Sequence, residues 1–299
     1  MFASYVRKAF VSAASQPWKS SCFVLSGTVV TLHGLATAYS PSRRNEDVEL
    51  RDLNEELGLP SQDAARDLPA VTRRNILSRE EIAKIISRAT EDMHRLGTTS
   101  RDADGVHKLR GPWETMYLHT DGWFKEAFPD IHSRLVQVTV AADKDEWGLL
   151  DAAPVAKRCG VPVARNIEMH TVHQDGALPD PDHFDSGSLW TIDVMLAQID
   201  EDYDGGVVQT LGKDGQLISH RLDCGDALIF PSHKCHCVSR VTRGRRRVLV
   251  MELWHGEERT CAHRCCQRWG LCSYSLVMSR LDRVLRAGSP HSDDPAPLF

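Results

Sequence analysis

The sequence of 299 residues lacks any strong compositional bias. Aromatic residues make up only 7% of it, hydrophobic residues 41% and charged residues 26%. These proportions are close to the globular average, which excludes collagen-like, low-complexity and wholly disordered chains. The chain also lacks a basic excess, since its formal net charge is −5, so nothing in its balance favours nucleic acid as a partner. Its nine cysteines are too few and too unevenly placed for a disulfide scaffold.

Acidic residues are absent from residues 1–44, which carry five basic residues and eight serines. Within this segment an apolar stretch runs from Cys22 to Tyr39. Such a pattern is typical of a targeting segment, so we expect the secretory pathway, the endoplasmic reticulum or another organelle as the destination. As a membrane span the stretch is marginal, because about 20 strongly apolar residues are needed and His33 interrupts it. Membrane contact is expected only through this segment, if it is not cleaved; the alternative is a surface helix or a poorly ordered terminus.

The next two segments are predicted to be a linker and a helical support region. Residues 45–69 contain eight acids against two arginines, which indicates an acidic, solvated linker. Ser78 and Glu81 form a capping box ahead of an apolar repeat, which predicts an amphipathic helix over residues 79–95. We therefore assign residues 70–158 to helices that support the following core.

From about residue 160 the sequence changes to short β-rich runs separated by turns. The runs are Leu189–Leu196, Val207–Leu211, Ala227–Phe230 and Val248–Trp254. This texture predicts an all-β core, which we assign to residues 159–257. Residues 258–299 form a Cys-rich C-terminal extension and tail, in which the apolar spacing after Cys272 allows one more helix.

Three His-x-Asp triplets occur, beginning at His119, His183 and His291. Because the chain contains 14 histidines, some triplets are expected by chance and their surroundings must separate them. The triplet at His119 lies among predicted helices, and the one at His291 lies in the tail with nothing after it to complete a site. His183-Phe-Asp185 enters the β-rich region, where residues i and i+2 of a strand share a face. Both side chains can then reach one metal ion.

A facial triad for Fe(II) needs one further histidine and leaves coordination positions open. After the triplet come the turn Asp204-Gly205-Gly206 and the run Gly225-Asp-Ala-Leu-Ile-Phe-Pro-Ser232, which leads to His236. Arg246 follows ten residues after His236. The order and separation of these motifs resemble those of the Fe(II)/2-oxoglutarate dioxygenases, and among them the prolyl-4-hydroxylase-like branch.

The resemblance implies an α+β fold, in which helices pack on one side of a double-stranded β-helix, or jelly-roll, core. It also implies that His183, Asp185 and His236 are the iron ligands and that Arg246 receives the distal carboxylate of 2-oxoglutarate. The chemistry of arginine agrees, since its planar, permanently charged fork pairs with a carboxylate through two hydrogen bonds. The implied cofactors are Fe(II), 2-oxoglutarate as cosubstrate, and ascorbate to restore oxidised iron.

Residues beside these positions have simpler interpretations. His233 could compete with His236, but only His236 has the ten-residue spacing to Arg246. In a strand Arg245 and Arg247 face away from Arg246, so a solvated outer face is favoured over a basic patch for nucleic acid.

Two further features stand near the candidate ligands. Cys235 and Cys237 flank His236, but thiolates suit zinc better than an oxygen-activating iron, so we interpret them as packing residues. The similar enzymes commonly carry a tyrosine ahead of the triplet that hydrogen-bonds the cosubstrate. The run Glu168–His173 contains no tyrosine, and His170 is the nearest polar substitute.

A group of cysteines follows the predicted end of the core, at Cys261, Cys265, Cys266 and Cys272. A small zinc site and a disulfide cluster both remain open. The spacing matches no standard zinc signature, and disulfides are favoured if the N-terminal segment directs secretion. In either case we interpret the group as a staple for the C-terminal extension.

The function implied by the resemblance is hydroxylation of a C–H bond with release of succinate and CO2. Prolyl residues of a peptide or protein are the leading substrate, with a small molecule as the alternative. Two other classes compete with this hypothesis. A catalytically silent, cupin-like binding or scaffold protein would keep the barrel and lose the ligands, whereas a zinc-binding interaction module would depend on the late cysteines alone.

Overall fold

The computed structural model describes residues 60–152 and 161–277, together with a short ladder of β1 (Val24–Leu25) and β2 (Thr28–Val29). Apart from that ladder, the predicted targeting segment lies outside the described residues, as does the tail from residue 278. Within the described ranges no helix combines the length and the apolar character that crossing a membrane requires.

The helices of the described ranges lie ahead of residue 153, apart from a helical turn at residues 273–277. They are α1 (Gln62–Asp67), α2 (Arg79–Glu91), a 3-10 turn (Thr120–Gly122), α3 (Trp123–Ala127), α4 (Pro129–Glu146) and α5 (Leu149–Ala152). The predicted capping box starts α2, because the Ser78 hydroxyl accepts from the Glu81 N–H and the Glu81 carboxylate accepts from the Ser78 N–H. The helix ends at Glu91, short of the predicted end, where the Asp92 carboxylate instead accepts from the Trp123 indole at 2.8 Å.

The remaining strands form a large and a small sheet, and all strand pairs are antiparallel. They are β3 (Val71–Arg73), β4 (Gly97–Arg101), β5 (Trp113–Tyr117), β6 (Val163–His173), β7 (Trp190–Met195), β8 (Tyr203–Gly205), β9 (Val208–Leu211), β10 (Leu217–His220), β11 (Ala227–Pro231), β12 (His236–Val238) and β13 (Val241–Trp254). The large sheet has the order β3-β11-β7-β13-β6-β5-β4, with β8 also paired to β13, and the small sheet has the order β10-β9-β12.

The region predicted to be a helical support also supplies strands, which corrects that prediction. Strands β3, β4 and β5 all join the large sheet. In β5, Trp113 lies opposite Val172 and Tyr117 opposite Glu168 of β6. The alternation of buried and exposed residues along β5 is that of a half-buried strand, and a five-residue run is too short to be distinguished with certainty by its period.

The end of the predicted linker is also structured. Ser61 caps α1 by accepting a hydrogen bond from the Ala64 N–H at 3.2 Å, and Ala65 is fully buried. The Lys234 ammonium donates to the Arg66 carbonyl at 2.9 Å. The acidic segment therefore ends in a helix that docks against the β core rather than in solvent.

The two faces of the large sheet differ in chemistry. On the outer face, Ile192 and Leu249 pack in one apolar cluster with Ile85 of α2 and Leu135 of α4. On the inner face, Val248 packs with residues of the small sheet in a second apolar cluster. Helices against one face of two facing antiparallel sheets give the α+β, jelly-roll architecture predicted from the sequence.

The inner face is also where polar residues accumulate. Cross-strand partners in an antiparallel sheet share a face, and the pairing of β13 with β6 and β7 places the following residues together. They are Asn166, Glu168, His170, Thr191, Asp193, Arg246 and Glu252. These side chains are directed into the space between the two sheets.

Candidate active site

The three predicted ligands converge at one end of that space. His183 and Asp185 lie in the connection between β6 and β7, and His236 is the first residue of β12. The Asp185 N–H donates to the Ser232 carbonyl at 2.8 Å, and the His236 N–H donates to the His183 carbonyl at 2.8 Å. These bonds fasten the triplet to the β11–β12 connection, which carries the third ligand.

The triplet does not lie on a strand, so that part of the prediction is wrong. Pro179 and Pro181 precede it, and proline has no N–H to donate to a sheet ladder. The triplet instead lies in a loop that individual backbone hydrogen bonds hold in place. This loop still brings the His183 and Asp185 side chains close together.

The ligand atoms of His183, Asp185 and His236 all lie within 4.8 Å of one another. The His183 Nε2 is 3.6 Å from Asp185 Oδ1, and the His236 Nε2 is 3.9 Å from Asp185 Oδ2. The two imidazole rings meet edge to face, with centroids 4.9 Å apart. Two imidazoles and one carboxylate are the donor set of the Fe(II) facial triad, so the residues present fit such an ion.

Hydrogen bonds orient two of the three ligands. The His236 Nδ1 lies 3.1 Å from the Lys234 carbonyl, which places the proton on Nδ1 and leaves the Nε2 lone pair for a metal. The Thr191 hydroxyl donates to Asp185 Oδ2 at 2.7 Å and lies 2.9 Å from the Ser232 hydroxyl. These partners preset the ligands for one ion.

The electrostatics of the site favour the ligating protonation states. Burial opposes ionisation of Asp185, but His236 and His183 outweigh it and hold the pKa of the carboxyl well below its usual range. Burial lowers the pKa of His236, so its imidazole is neutral near pH 7. The His183 side chain is 36% exposed and that of His236 is 8% exposed. The site is therefore open on the His183 side.

Arg246 lies deeper on the inner face and is 1% exposed. Among the described residues its Nε has no hydrogen-bond partner, its Nη2 contacts the Met195 sulfur at 3.7 Å, and the guanidinium also interacts with the Tyr203 side chain. Burial lowers the pKa of Arg246, and Tyr203 and Asp193 oppose that effect. A buried guanidinium with donors to spare fits an incoming carboxylate, which is the role that the sequence resemblance implies for it.

A glycine makes room for this arginine. A Cβ placed on Gly206 would lie 2.9 Å from the Arg246 Cδ, closer than real Cβ contacts. Gly206 also has a φ of +59°, in the left-handed region that favours glycine. The Asp-Gly-Gly turn that the sequence singled out thus packs against the arginine stem.

The neighbours of Arg246 follow the predicted strand register. Arg245 is exposed and Arg247 is half-buried, whereas Arg246 and Val248 are buried. Nearby, the Arg243 guanidinium pairs with the Asp204 carboxylate at 2.6 Å on the surface.

Four side chains near the site were not identified from the sequence. The Arg264 guanidinium donates two hydrogen bonds of 2.8 Å to the buried Glu252 carboxylate. Burial raises the pKa of Asp193 to about 7, and Glu168 is buried beside it on the inner face. The alternation of polar and apolar residues along β6 could have indicated an inner polar face, but it equally fits a strand with one solvated face.

The positions that competed for site roles have other partners. The His170 ring accepts from the Trp113 indole at 2.9 Å and lies 3.0 Å from the Glu168 carboxylate. The His233 Nδ1 lies 3.0 Å from the Pro60 carbonyl. The Cys235 sulfur contacts the Asp182 carbonyl, at 3.8 Å, rather than the three ligands.

His119 has a structural role, and the triplet at His291 lies outside the described residues. The His119 ring is 3% exposed; its Nδ1 accepts from the Ile167 N–H at 3.1 Å, and its Nε2 lies 3.1 Å from the His263 carbonyl. Both ring nitrogens are therefore engaged by backbone groups, and Asp121 is exposed.

No protein-family model matches the chain, and no curated protein matches it. Similar solved structures include a 2OG-Fe(II) oxygenase-family oxidoreductase from Burkholderia pseudomallei, at 12% identity over 65% of this chain and 88% of that one, with a TM-score of 0.44. A prolyl hydroxylase from Trichoplax adhaerens, in complex with a hypoxia inducible factor peptide, has 11% identity over 73% and 94% of the two chains and a TM-score of 0.44.

Another similar structure is SnoN, a non-heme alpha ketoglutarate dependent epimerase from nogalamycin biosynthesis. It has 14% identity over 72% of this chain and 87% of that one, with a TM-score of 0.44. One of these neighbours is bound to a peptide, and another comes from nogalamycin biosynthesis. The likeness concerns the fold alone, so the function is argued from the residues of the site.

Proposed function

We propose that this chain is an Fe(II)- and 2-oxoglutarate-dependent dioxygenase that hydroxylates a C–H bond. The observation that carries the proposal is the convergence of His183, Asp185 and His236 on one point, with the Arg246 guanidinium buried on the same inner face. A catalytically silent scaffold protein would explain neither the convergence of the three side chains nor the buried Arg246 Nε, which has no hydrogen-bond partner among the described residues.

Each residue of the site has one task in this proposal. His183, Asp185 and His236 would hold Fe(II), and Arg246 would pair with the distal carboxylate of 2-oxoglutarate. The bound iron and cosubstrate supply the oxidising power, and succinate and CO2 are released. Thr191 keeps the Asp185 carboxylate in place, and the apolar residues around Val248 keep water from the arginine.

Turnover of 2-oxoglutarate is the direct test. The full chain is incubated with Fe(II), 2-oxoglutarate and O2, and succinate is measured across a panel of peptide and small-molecule acceptors. We expect acceptor-dependent succinate from the wild type and none from Asp185→Ala. A silent scaffold protein would bind without forming succinate, and equal succinate from both proteins would trace the activity to free iron.

Prolyl residues of a peptide or protein are the substrate that we propose first. The order of the sequence motifs supports this choice, and the partly exposed His183 leaves the candidate metal site open to a large acceptor. Peptides with a central proline are compared with matched peptides that carry alanine there. Hydroxylation of the proline peptides alone supports the proposal, whereas a small-molecule acceptor turned over far faster would replace it.

We also propose that ascorbate sustains the enzyme, since oxidised iron must be reduced for turnover to continue. Progress curves that decay without ascorbate and are prolonged by it are expected. Curves that are identical with and without it would contradict this proposal.

The destination proposed for the N-terminal segment is the secretory pathway or an organelle. Residues 1–44 are fused to a fluorescent reporter in eukaryotic cells, with a fusion of residues 45–69 as the control. A diffuse cytosolic signal from both fusions would contradict the proposal.

A further inference from the structure

The C-terminal extension brings four side chains with metal-binding atoms to one point, away from the site already described. They are Cys261, His263, Cys265 and Cys272, whose ligand atoms all lie within 4.8 Å of one another. The Cys272 Sγ lies 3.5 Å from the His263 Nε2. Because the sequence analysis grouped only the cysteines of this segment, Cys266 among them, the contribution of His263 emerges only in the fold.

This set has the chemistry of a closed zinc site. Three thiolates and one imidazole form a common tetrahedral set for structural Zn²⁺, with Zn–S distances of about 2.3 Å and sulfurs roughly 3.8 Å apart. The observed separations need to contract little to reach that geometry. The pattern Cys-x-His-x-Cys followed by a distant cysteine matches no standard signature, which explains why the spacing alone left the question open.

A disulfide accounts for the arrangement less well. All four cysteines of the extension are unbonded in the structure. A disulfide between two of Cys261, Cys265 and Cys272 would not explain why the third thiol and the His263 imidazole lie at the same point. Cys266 is exposed and does not belong to the group, so the fold separates it from its three neighbours.

The surroundings of the four residues are those of held ligands. The Ser275 N–H is directed at the Cys272 sulfur, 3.5 Å away, as expected for a thiolate acceptor. The His263 ring packs edge to face on Tyr274, with centroids 4.5 Å apart. The His263 carbonyl lies 3.1 Å from the His119 Nε2, which fixes the backbone of this ligand.

The loop that carries the ligands is docked tightly on the core. A Cβ on Gly97 would lie 2.2 Å from the Ala262 carbonyl oxygen, so only glycine permits this approach. The Thr260 carbonyl accepts from the Asp121 N–H at 2.8 Å. These contacts hold the loop between Cys261 and Cys265 against the first residue of β4.

The same loop reaches the triplet of the candidate active site. Arg264, between two of the four ligands, pairs with Glu252 and also donates to the Ser186 carbonyl at 3.3 Å. The Arg165 Nε donates to the Cys265 carbonyl at 2.8 Å, and its Nη1 donates to the same Ser186 carbonyl. Ser186 directly follows Asp185. Arg165 and Arg264 therefore connect the cysteine cluster to the loop that carries Asp185.

We propose that Cys261, His263, Cys265 and Cys272 bind one structural Zn²⁺, which fixes the C-terminal extension over the loop that carries Asp185. The zinc site uses no residue of the iron site and stands whether or not the proposed hydroxylation is correct. The role of the bound zinc is to keep Arg264 in position to pair with Glu252.

Zinc content of the full chain is the first test. Because the candidate iron site could also take up zinc, the measurement is made on Asp185→Ala, after extensive dialysis, by elemental analysis. We expect about one zinc per chain, as four ligands bind one ion. The matched pair is Cys272→Ser, which should lose this zinc, and Cys266→Ser, which should retain it. Loss of the same amount from both variants would overturn the assignment.

A second measurement avoids the risk that Cys272→Ser fails to fold. Cobalt replaces zinc in the Asp185→Ala chain, and the visible spectrum is recorded. Intense tetrahedral bands with thiolate-to-cobalt charge transfer are expected, together with protection of three thiols from alkylation until a chelator removes the metal. Absence of these bands, combined with a mass that shows a disulfide within the extension, would overturn the proposal.

Discussion

The two groups of metal-binding side chains differ in the number and chemistry of their ligands. The group at His183, Asp185 and His236 offers three nitrogen and oxygen donors and is partly open on the His183 side. The group at Cys261 and its neighbours offers four donors, three of them sulfur, which is the number and chemistry of a closed tetrahedral zinc site. An open set leaves positions for reactants, whereas a closed set only holds the fold. The two groups are therefore suited to the different roles proposed for them, catalysis at the first and structural support at the second.

Removal of a ligand from the open group should have the largest effect on activity. Asp185→Ala leaves two imidazoles and no charge to hold Fe(II), so we expect turnover to fall by at least about a thousandfold. Iron content measured by elemental analysis should fall with it, while the zinc of the extension stays. Unchanged iron in Asp185→Ala, or equal loss of both metals, would break the distinction between the two groups.

The next effect concerns the cosubstrate. Arg246→Ala would leave the distal carboxylate buried and unpaired, which typically costs about 3–5 kcal/mol, or roughly a hundred- to several-thousand-fold in the apparent affinity for 2-oxoglutarate. Arg246→Lys should recover part of it, since the charge is kept and the fork is lost. Titration of 2-oxoglutarate measures both.

The neighbouring arginines are the controls for that titration. Arg245→Ala and Arg247→Ala should each change the affinity by less than about fivefold, because both side chains lie on the face of the strand opposite to Arg246. Equal losses at the three positions would mean that the run is a general basic patch.

The link between the two groups should affect stability more than activity. Arg264→Ala leaves Glu252, which is 2% exposed, as a buried charge without its main partner, and such losses typically cost about 3–5 kcal/mol of unfolding free energy. Urea unfolding of the variant measures this cost, and Arg264→Lys should restore part of it. A cost below about 1 kcal/mol would show that the Arg264–Glu252 pair is solvated and that it does not link the two groups of metal-binding side chains.

His119 should matter for folding and not for iron binding. His119→Ala leaves the Ile167 N–H and the His263 carbonyl unpaired, which we expect to cost about 1–3 kcal/mol per buried group. A neutral effect on stability would contradict the structural role of His119. Iron loss in His119→Ala with iron retained in His183→Ala would mean that the wrong triplet has been chosen.

A small, pH-dependent effect is expected where the extension meets the helices. His132 and Lys125 lower the pKa of Glu258 to about 2, against an ordinary value of 4.5. A lowered folded-state pKa stabilises the fold at neutral pH, and this contribution is lost as pH falls from about 4.5 toward 2. Because the side chain is 32% exposed, solvent screening limits it to about 1 kcal/mol.

The comparison of Glu258→Gln with the wild type by urea unfolding checks that sign. The difference in stability should be largest near neutral pH and should vanish in strong acid. A difference that grows as the pH falls would contradict the assigned shift.

The sequence predicted the parts of the site that depend on spacing. His183, Asp185, His236 and Arg246 could be singled out because the motifs that carry the resemblance to the Fe(II)/2-oxoglutarate dioxygenases are local patterns in the sequence. The structure brings the three ligands together and places Arg246 inward. The capping box at Ser78 was predictable for the same reason, since its two hydrogen bonds join residues three apart.

Contacts between segments that are distant in the chain could not be predicted from the sequence. The Arg264–Glu252 pair joins a loop of the extension to β13, and no period relates the two. Strands β4 and β5 were missed because short amphipathic runs have no distinctive period until a neighbouring strand pairs with them. His263 could not be assigned to the cysteines, since its spacing fits no standard ligand pattern.

In the proposed function, iron and 2-oxoglutarate meet at His183, Asp185, His236 and Arg246. An anaerobic titration tests it most directly: 2-oxoglutarate is added to the full chain with one equivalent of Fe(II), and the visible charge-transfer absorption of a 2-oxo acid chelated to Fe(II) is followed. We expect a saturable band in the wild type, no band in Asp185→Ala, and a band in Arg246→Ala only at a far higher 2-oxoglutarate concentration. No band in a wild-type chain that holds its iron, or the same band in all three proteins, would contradict it.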